Sequence, residues 1–178
     1  IEARQAVADY VSVPGAEITA DDVILCSGCS CALDIAISTM ADAGQNILVP
    51  RPGFPIYTTL SAGQEIETRE YDLLPNQDWE ADLEQMEALI DQNTAAIVVN
   101  SPSNPCGSVF SVPHLKNILA IAEKYKVPII ADEIYEHFVF PGETYVPIAS
   151  LTTTVPVLSC SGLTKRFLVP GWRLGWII

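Results

Sequence analysis

Six short apolar runs that lack polar alternation restrict the fold of this chain more than any other feature. They are Val23–Cys26, Ile47–Val49, Ala95–Val99, Val127–Ala131, Val155–Cys160 (interrupted by Pro156) and Leu174–Ile178, all rich in Val and Ile. A strand with one wet face alternates apolar and polar residues, so runs without alternation suit strands covered on both faces of a largely parallel sheet. Helical patterns lie between them. Ser30–Met40 carries apolar residues at 32, 33, 35, 36, 37 and 40, and Val112–Tyr125 carries Leu115, Ile118, Leu119, Ile121 and Ala122, with Lys124 near its end. Strand then helix, repeated, predicts an α/β layer architecture. Pro50-Arg51-Pro52-Gly53, Leu74-Pro75-Asn76 and Pro102-Ser103-Asn104-Pro105 punctuate loops, and none is long enough to link two domains.

A chain of 178 residues with 49% hydrophobic content can bury the core of one globular domain, which argues against disorder. Its apolar runs are far shorter than the roughly 20 residues that a bilayer crossing requires. Nine Lys+Arg against 22 Asp+Glu give a net charge of −13, which repels nucleic acid and anionic lipid. A small phosphorylated ligand is not excluded, because a helix end and one arginine can hold it inside an acidic protein. The odd set Cys26, Cys29, Cys31, Cys106 and Cys160 forms no paired framework and fits a reducing compartment. Cys29-x-Cys31 lacks the further ligands of a zinc site, and His114 and His137 have no evident partner. No signal or transit segment is visible, although Ile1 at the start and the apolar run at the end read as cut ends.

In open parallel sheets, ligands bind beyond the carboxyl ends of the strands. The runs open there into Ser27-Gly28-Cys29-Ser30, Asn100–Gly107, Asp132-Glu133-Ile134-Tyr135 and Ser161-Gly162-Leu163-Thr164-Lys165. A lysine, a buried acid, an amide, a tyrosine and a phosphate seat on one edge are the parts that pyridoxal phosphate asks for. Each also has a plainer reading. Lys165-Arg166 reads first as a solvated basic pair, although a lysine desolvated after a buried strand becomes nucleophilic. Asp132 is either a helix N-cap or a buried carboxylate in want of a cation, and a helical turn would bring Tyr135 to its side. Gly28-Cys29-Ser30 is either an ordinary glycine turn or a phosphate seat at a helix N-terminus. Arg173 is a phosphate clamp or a surface pair, and Phe54 is core packing or a ring that stacks on a heterocycle.

These stretches, with Pro50–Tyr57, Asn100–Ser108, Ala131–Tyr135 and Leu163–Trp176, resemble the fold-type I pyridoxal-phosphate enzymes of the aspartate aminotransferase superfamily, and within it the tyrosine aminotransferase branch. The motifs stand in family order over nearly the whole chain. The resemblance implies a three-layer fold, a mostly parallel central sheet with helices on both faces, in which residues 1–178 form part of the cofactor-binding large domain. It implies that Lys165 bonds covalently to the cofactor and acts as general base, and that Asp132 faces the pyridinium nitrogen. Asn104 and Tyr135 would donate to the phenolate oxygen, Phe54 would stack on the ring, and Cys29, Ser30 and Arg173 would hold the phosphate. Two positions depart from the pattern: Cys31 stands in place of glutamine, and Gly162 in place of a phosphate-binding serine, for which Ser161 would substitute. Implied too are transamination of an aromatic amino acid, tyrosine first, with 2-oxoglutarate, a homodimer, and a cytoplasmic or mitochondrial setting. An N-terminal arm and a C-terminal small domain, with the arginine for the substrate carboxylate, would lie outside the chain. A lyase or synthase of the same fold, or a non-catalytic truncated relative, is the alternative.

Overall fold

All six apolar runs become strands of one sheet. The computed structural model describes every residue from Ile1 to Ile178. In chain order the elements are α1 (Glu2–Val11), β1 (Ile24–Cys26), α2 (Gly28–Met40), β2 (Asn46–Arg51), α3 (Ile56–Ala62), β3 (Glu67–Leu74), β4 (Glu80–Ala81), α4 (Leu83–Ala88), β5 (Thr94–Asn100), α5 (Val112–Tyr125), β6 (Ile129–Asp132), β7 (Val157–Gly162), α6 (Leu163–Arg166) and β8 (Gly175–Ile177). The eight strands follow the order β1-β8-β7-β6-β5-β2-β3-β4. From β7 through β6, β5 and β2 to β3 every pairing is parallel; β8 lies antiparallel between β7 and β1, and β4 antiparallel to β3.

Alternate residues of the central strands enter two separate cores, which makes the fold three-layered. Leu48, Ile97, Val99, Ile129 and Ala131 pack under Leu115, Ile118, Leu119 and Ala122 of α5. Their neighbours Ile47, Val49, Ala96, Val98 and Ile130 pack on the opposite face with Ala32, Leu33, Ala36 and Ile37 of α2. Each large aliphatic side chain buried this way stabilises the fold by about 1.5–3 kcal/mol. Truncating Ile97 to Ala would therefore cost about 2–5 kcal/mol. Helix α5 starts where Ser111 Oγ accepts the His114 N–H at 3.3 Å, and stops at Lys126, which turns into the left-handed region at φ 56°.

The apolar runs mark the strands with an offset. β6 and β7 begin after Pro128 and Pro156, which cannot donate to the ladder but whose carbonyls accept the N–H of Ile97 and Ile129 at 3.0 and 2.9 Å. Both then run on into polar residues, Asp132 and Ser161-Gly162. β1 is a correction to the expectation of strands covered on both faces: it is a sheet edge, and Ile24 and Leu25 are exposed. His114 is a second correction, since it does have partners. It is buried, its Nε2 accepts the Ala81 N–H at 3.0 Å, and Nδ1 lies 3.4 Å from Glu80; burial pushes its pKa down.

Candidate active site

Where β6 ends, its last side chain is turned into the sheet's helix-covered face and cannot reach bulk water. Asp132 is only 3% exposed. No cation meets it. Its Oδ2 accepts from the Tyr57 hydroxyl at 2.7 Å, and its Oδ1 accepts from the Ile134 N–H at 3.3 Å and the Cys29 thiol at 3.7 Å. Burial raises its pKa, and these three donors, Tyr57 foremost, pull it back down. The segment after Asp132 is a set of turns rather than a helix, so Asp132 caps a turn through Ile134.

Asp132 opens onto a cavity of about 250 Å³ lined by Cys29, Ser30, Leu33, Phe54, Asn104, Asp132, Ile134, Tyr135, Thr164, Lys165 and Arg173. Six stretches of chain build it, around residues 29–33, 54, 104, 132–135, 164–165 and 173. α2 begins at Gly28 with no side-chain cap on its N-terminus and no acidic residue in its first turn, which leaves the helix's first N–H groups free at the positive end of its dipole. Gly28 makes that start possible: its φ is +79°, and a Cβ there would run into the Arg173 guanidinium. Arg173 Nη2 in turn reaches the Ser27 carbonyl at 3.5 Å, which sets the guanidinium beside the helix end.

The loop after β5 is held by Asn100, in register with Asp132 across the parallel pair. Its Nδ2 donates to the Asp132 carbonyl at 3.0 Å and its Oδ1 accepts the Asn104 N–H at 2.8 Å, so Asn104 is hung from β5, whose end is itself tied to the strand that carries the acid. Lys165 lies on α6, a single turn directly continuous with β7. It is half-buried, makes no ion pair, and has its Nζ 5.2 Å from the centre of the Tyr135 ring. Phe54 meets Tyr57 edge to face at 6.3 Å.

Eight of the nine sequence-derived candidates share this cavity. Ser161 does not, and is corrected here: its hydroxyl reaches the Glu133 carbonyl at 3.4 Å, and it lines a different cavity, of about 230 Å³, with Glu133, Glu136, Tyr145 and Trp176. Strand alternation decides this, because successive residues of β7 point to opposite faces. A serine at 162 would have no room there, since a Cβ would sit 2.8 Å from the Leu174 carbonyl oxygen. Thr164 lines the cavity instead. Sequence reasoning passed over Tyr57, Asn100 and Thr164. For Asn100 a signal existed: like Asp132, it is the first polar residue after a buried run.

The residues suit pyridoxal phosphate on structural grounds. A buried carboxylate without a cation wants a protonated ring nitrogen, a free helix N-terminus beside a guanidinium wants a phosphate, and a lysine held in no ion pair can, as its neutral amine, attack an aldehyde.

Comparison with known proteins agrees with the architecture. The family model "Aminotransferase class I and II" matches residues 1–178. The tyrosine aminotransferase of Mus musculus is 57% identical over the whole chain, which covers 39% of that protein. Among solved structures, the tyrosine aminotransferase of Leishmania infantum superposes with a TM-score of 0.94 at 37% identity, over 98% of this chain and 44% of that one. The alanine aminotransferase of Pyrococcus furiosus gives 0.94 at 35% identity, over 99% and 45%. The chain thus spans about two fifths of the length of the curated relatives it matches. Its full-length match to the family model, at this level of identity, shows that the chain belongs to the class I and II aminotransferases.

Proposed function

We propose that the whole protein is a pyridoxal-phosphate aminotransferase that moves the amino group of an aromatic amino acid, tyrosine first, to 2-oxoglutarate. One observation carries this: the unneutralised Asp132 carboxylate and the free Lys165 ammonium line the same cavity, whose wall includes an uncapped helix end. When bound, the cofactor supplies an electron sink conjugated to the substrate's α-carbon.

The chain's own groups do the rest. Asp132 holds a proton on the ring nitrogen by charge pairing. Lys165 would hold the cofactor covalently, and its amine, once freed by substrate, would serve as the general base for the substrate's α-proton and as the general acid that gives the proton back. Asn104 and Tyr135 would donate to the phenolate oxygen, Phe54 would cover one ring face, and the first turn of α2, with Cys29, Ser30 and Arg173, would hold the phosphate. Phe54, 39% exposed, has room on its open side for a planar ring.

Residues 1–178 form, in this reading, the cofactor-holding part of the large domain, and the substrate carboxylate is bound by residues outside it. A homodimer and a cytoplasmic setting belong to the same proposal. All five cysteines are free, which fits a reducing compartment. No helix is long and apolar enough to cross a membrane.

Borohydride reduction of the full-length protein loaded with cofactor tests the assignment of Lys165. The wild type should retain a reduced adduct on the peptide containing Lys165, and Lys165→Ala should retain none. An adduct that survives in the variant would remove Lys165 from its role. Incubation with tyrosine and 2-oxoglutarate should yield 4-hydroxyphenylpyruvate and glutamate; a β-elimination product instead would point to a lyase of the same fold.

A further inference from the structure

The Tyr57 hydroxyl has one partner, the Asp132 carboxylate, and lies in a place where a hydroxyl needs a reason. Tyr57 is 1% exposed, on α3, and packs in the same core as Ala32, Leu33 and Val98. A phenylalanine would fill that space without a polar atom to satisfy. The hydroxyl is 2.7 Å from Asp132 Oδ2, on a residue 75 positions earlier in the chain. The other two donors, Cys29 and Ile134, both go to Oδ1 and both are longer, at 3.7 and 3.3 Å. Oδ2 therefore depends on Tyr57 alone for a protein donor.

We propose that Tyr57 is a positioning residue for the cofactor: its hydroxyl anchors Oδ2, fixes the plane of the Asp132 carboxylate, and keeps that carboxylate anionic before a ring nitrogen arrives. The inference rests on the assignment of this cavity to pyridoxal phosphate and adds a residue that does not touch the cofactor. The chemistry is a matter of charge. A carboxylate cut off from water and paired with no cation drifts toward its neutral form, and a protonated Asp132 could not pair with a pyridinium. A buried hydroxyl that donates to the charged form opposes the drift. Around Asp132 the titratable groups are Cys29 on α2, Tyr57 on α3, Cys160 on β7, Glu133 next in sequence, and Tyr135, Lys165 and Arg173 across the cavity. Burial pushes the Cys29 and Cys160 thiols and the Tyr57 phenol well up, so none of the three carries charge near neutral pH. Of the donors, Tyr57 ranks first in lowering the Asp132 pKa.

The test is the affinity of the full-length apoprotein for pyridoxal phosphate between about pH 5.5 and 8.5, in wild type and Tyr57→Phe. Comparing variants at each pH cancels the cofactor's own titrations. In Tyr57→Phe the pH at which binding begins to fail should move up by roughly one unit, with affinity about tenfold lower on the acid side of the profile, equal to about 1.4 kcal/mol, and converging with wild type on its alkaline side. On an Asp132→Asn background the same substitution should change nothing further. If Tyr57→Phe does not fold, 3-fluorotyrosine at position 57, a more acidic phenol of nearly the same shape, should move the profile the opposite way. Superimposable profiles, or an equal loss at every pH, overturn the positioning role and leave the cofactor assignment standing. Failure of the wild type to bind pyridoxal phosphate at any pH overturns that assignment itself.

Discussion

Two glycines meet where α2 touches β8, and they fail in different ways when given a side chain. A Cβ on Gly175 would sit 2.7 Å from the Cys29 nitrogen and closer still to the Gly28 backbone, and backbone cannot step aside. Gly175→Ala should cost several kcal/mol, on the scale of a strongly overpacked core, and appear as a lower melting temperature. At Gly28 the obstacle is the far end of Arg173, which can swing away, and the added cost is a left-handed backbone at φ +79°, about 1–2 kcal/mol. Gly28→Ala should therefore fold with a modest loss of melting temperature while displacing the guanidinium from the helix end. Pyridoxal-phosphate affinity is expected to fall about tenfold or more, the scale of one charge-assisted bond. Equal affinity in Gly28→Ala and wild type would show that Arg173 does not serve the phosphate. Such neighbours were invisible in the sequence, because Gly28 and Gly175 stand 147 positions apart and only the fold brings them together. Ser161 failed for a related reason: a shift of one residue along a strand exchanges its faces, and spacing to Lys165 does not reveal which face a hydroxyl takes.

Elements differ in how far the sequence announces them. The buried strands β2, β5, β6 and β7 and the helices α2 and α5 are covered by neighbours and so carry uniform or periodic apolar residues. β3 was not announced: its run Glu67-Thr68-Arg69-Glu70 is charged because this stretch lies toward the sheet's edge, and only Tyr71 and Leu73 are buried. α3 and α4 are under two turns or barely two turns long and α1 buries only Val7 and Ala8, so all three are placed by contacts rather than by pattern. α1 shows this most clearly. Its Tyr10 hydroxyl donates to Glu136 Oε1 at 3.2 Å, tying the helix to the turns after β6. Burial, then repulsion from Glu133, raise the Glu136 pKa to about 7, against the Tyr10 hydrogen bond and Arg166. Because the folded value lies above that of an ordinary glutamate, the folded form binds more protons between about pH 4.5 and 7. Stability is therefore lost as pH rises through that window, by about 3 kcal/mol at most. Glu136→Gln keeps the acceptor and removes the charge. It should melt higher than wild type at about pH 8 and equally near pH 4.5, and a difference that does not change with pH would refute this account.

Across the whole molecule, charge and apolar surface are distributed unevenly. The net charge is −13, yet three of the nine Lys and Arg residues, Lys165, Arg166 and Arg173, fall within one nine-residue stretch beside the proposed phosphate seat. An acidic body with one basic mouth repels polyanions while admitting a small one. The same stretch exposes Phe167, Leu168 and Trp172, the last two at 77% and 73%. Leu168 is also held at φ +53°, an uncommon conformation for a branched side chain, and this keeps it turned outward. Three large apolar side chains displayed on the stretch that also carries Lys165 and Arg173 are the pattern of a surface covered by a partner, and in the proposed homodimer the partner is a second copy. Leu168→Glu with Trp172→Ser should weaken self-association about 30-fold or more, the effect of losing a hot spot worth about 2 kcal/mol. Sedimentation of the full-length protein reads this as a shift from dimer to monomer at micromolar concentration. Tyr125→Ser, at an exposed ring on the last turn of α5, serves as the control and should leave the mass unchanged. An unaltered dimer in the double variant would place the contact on another face.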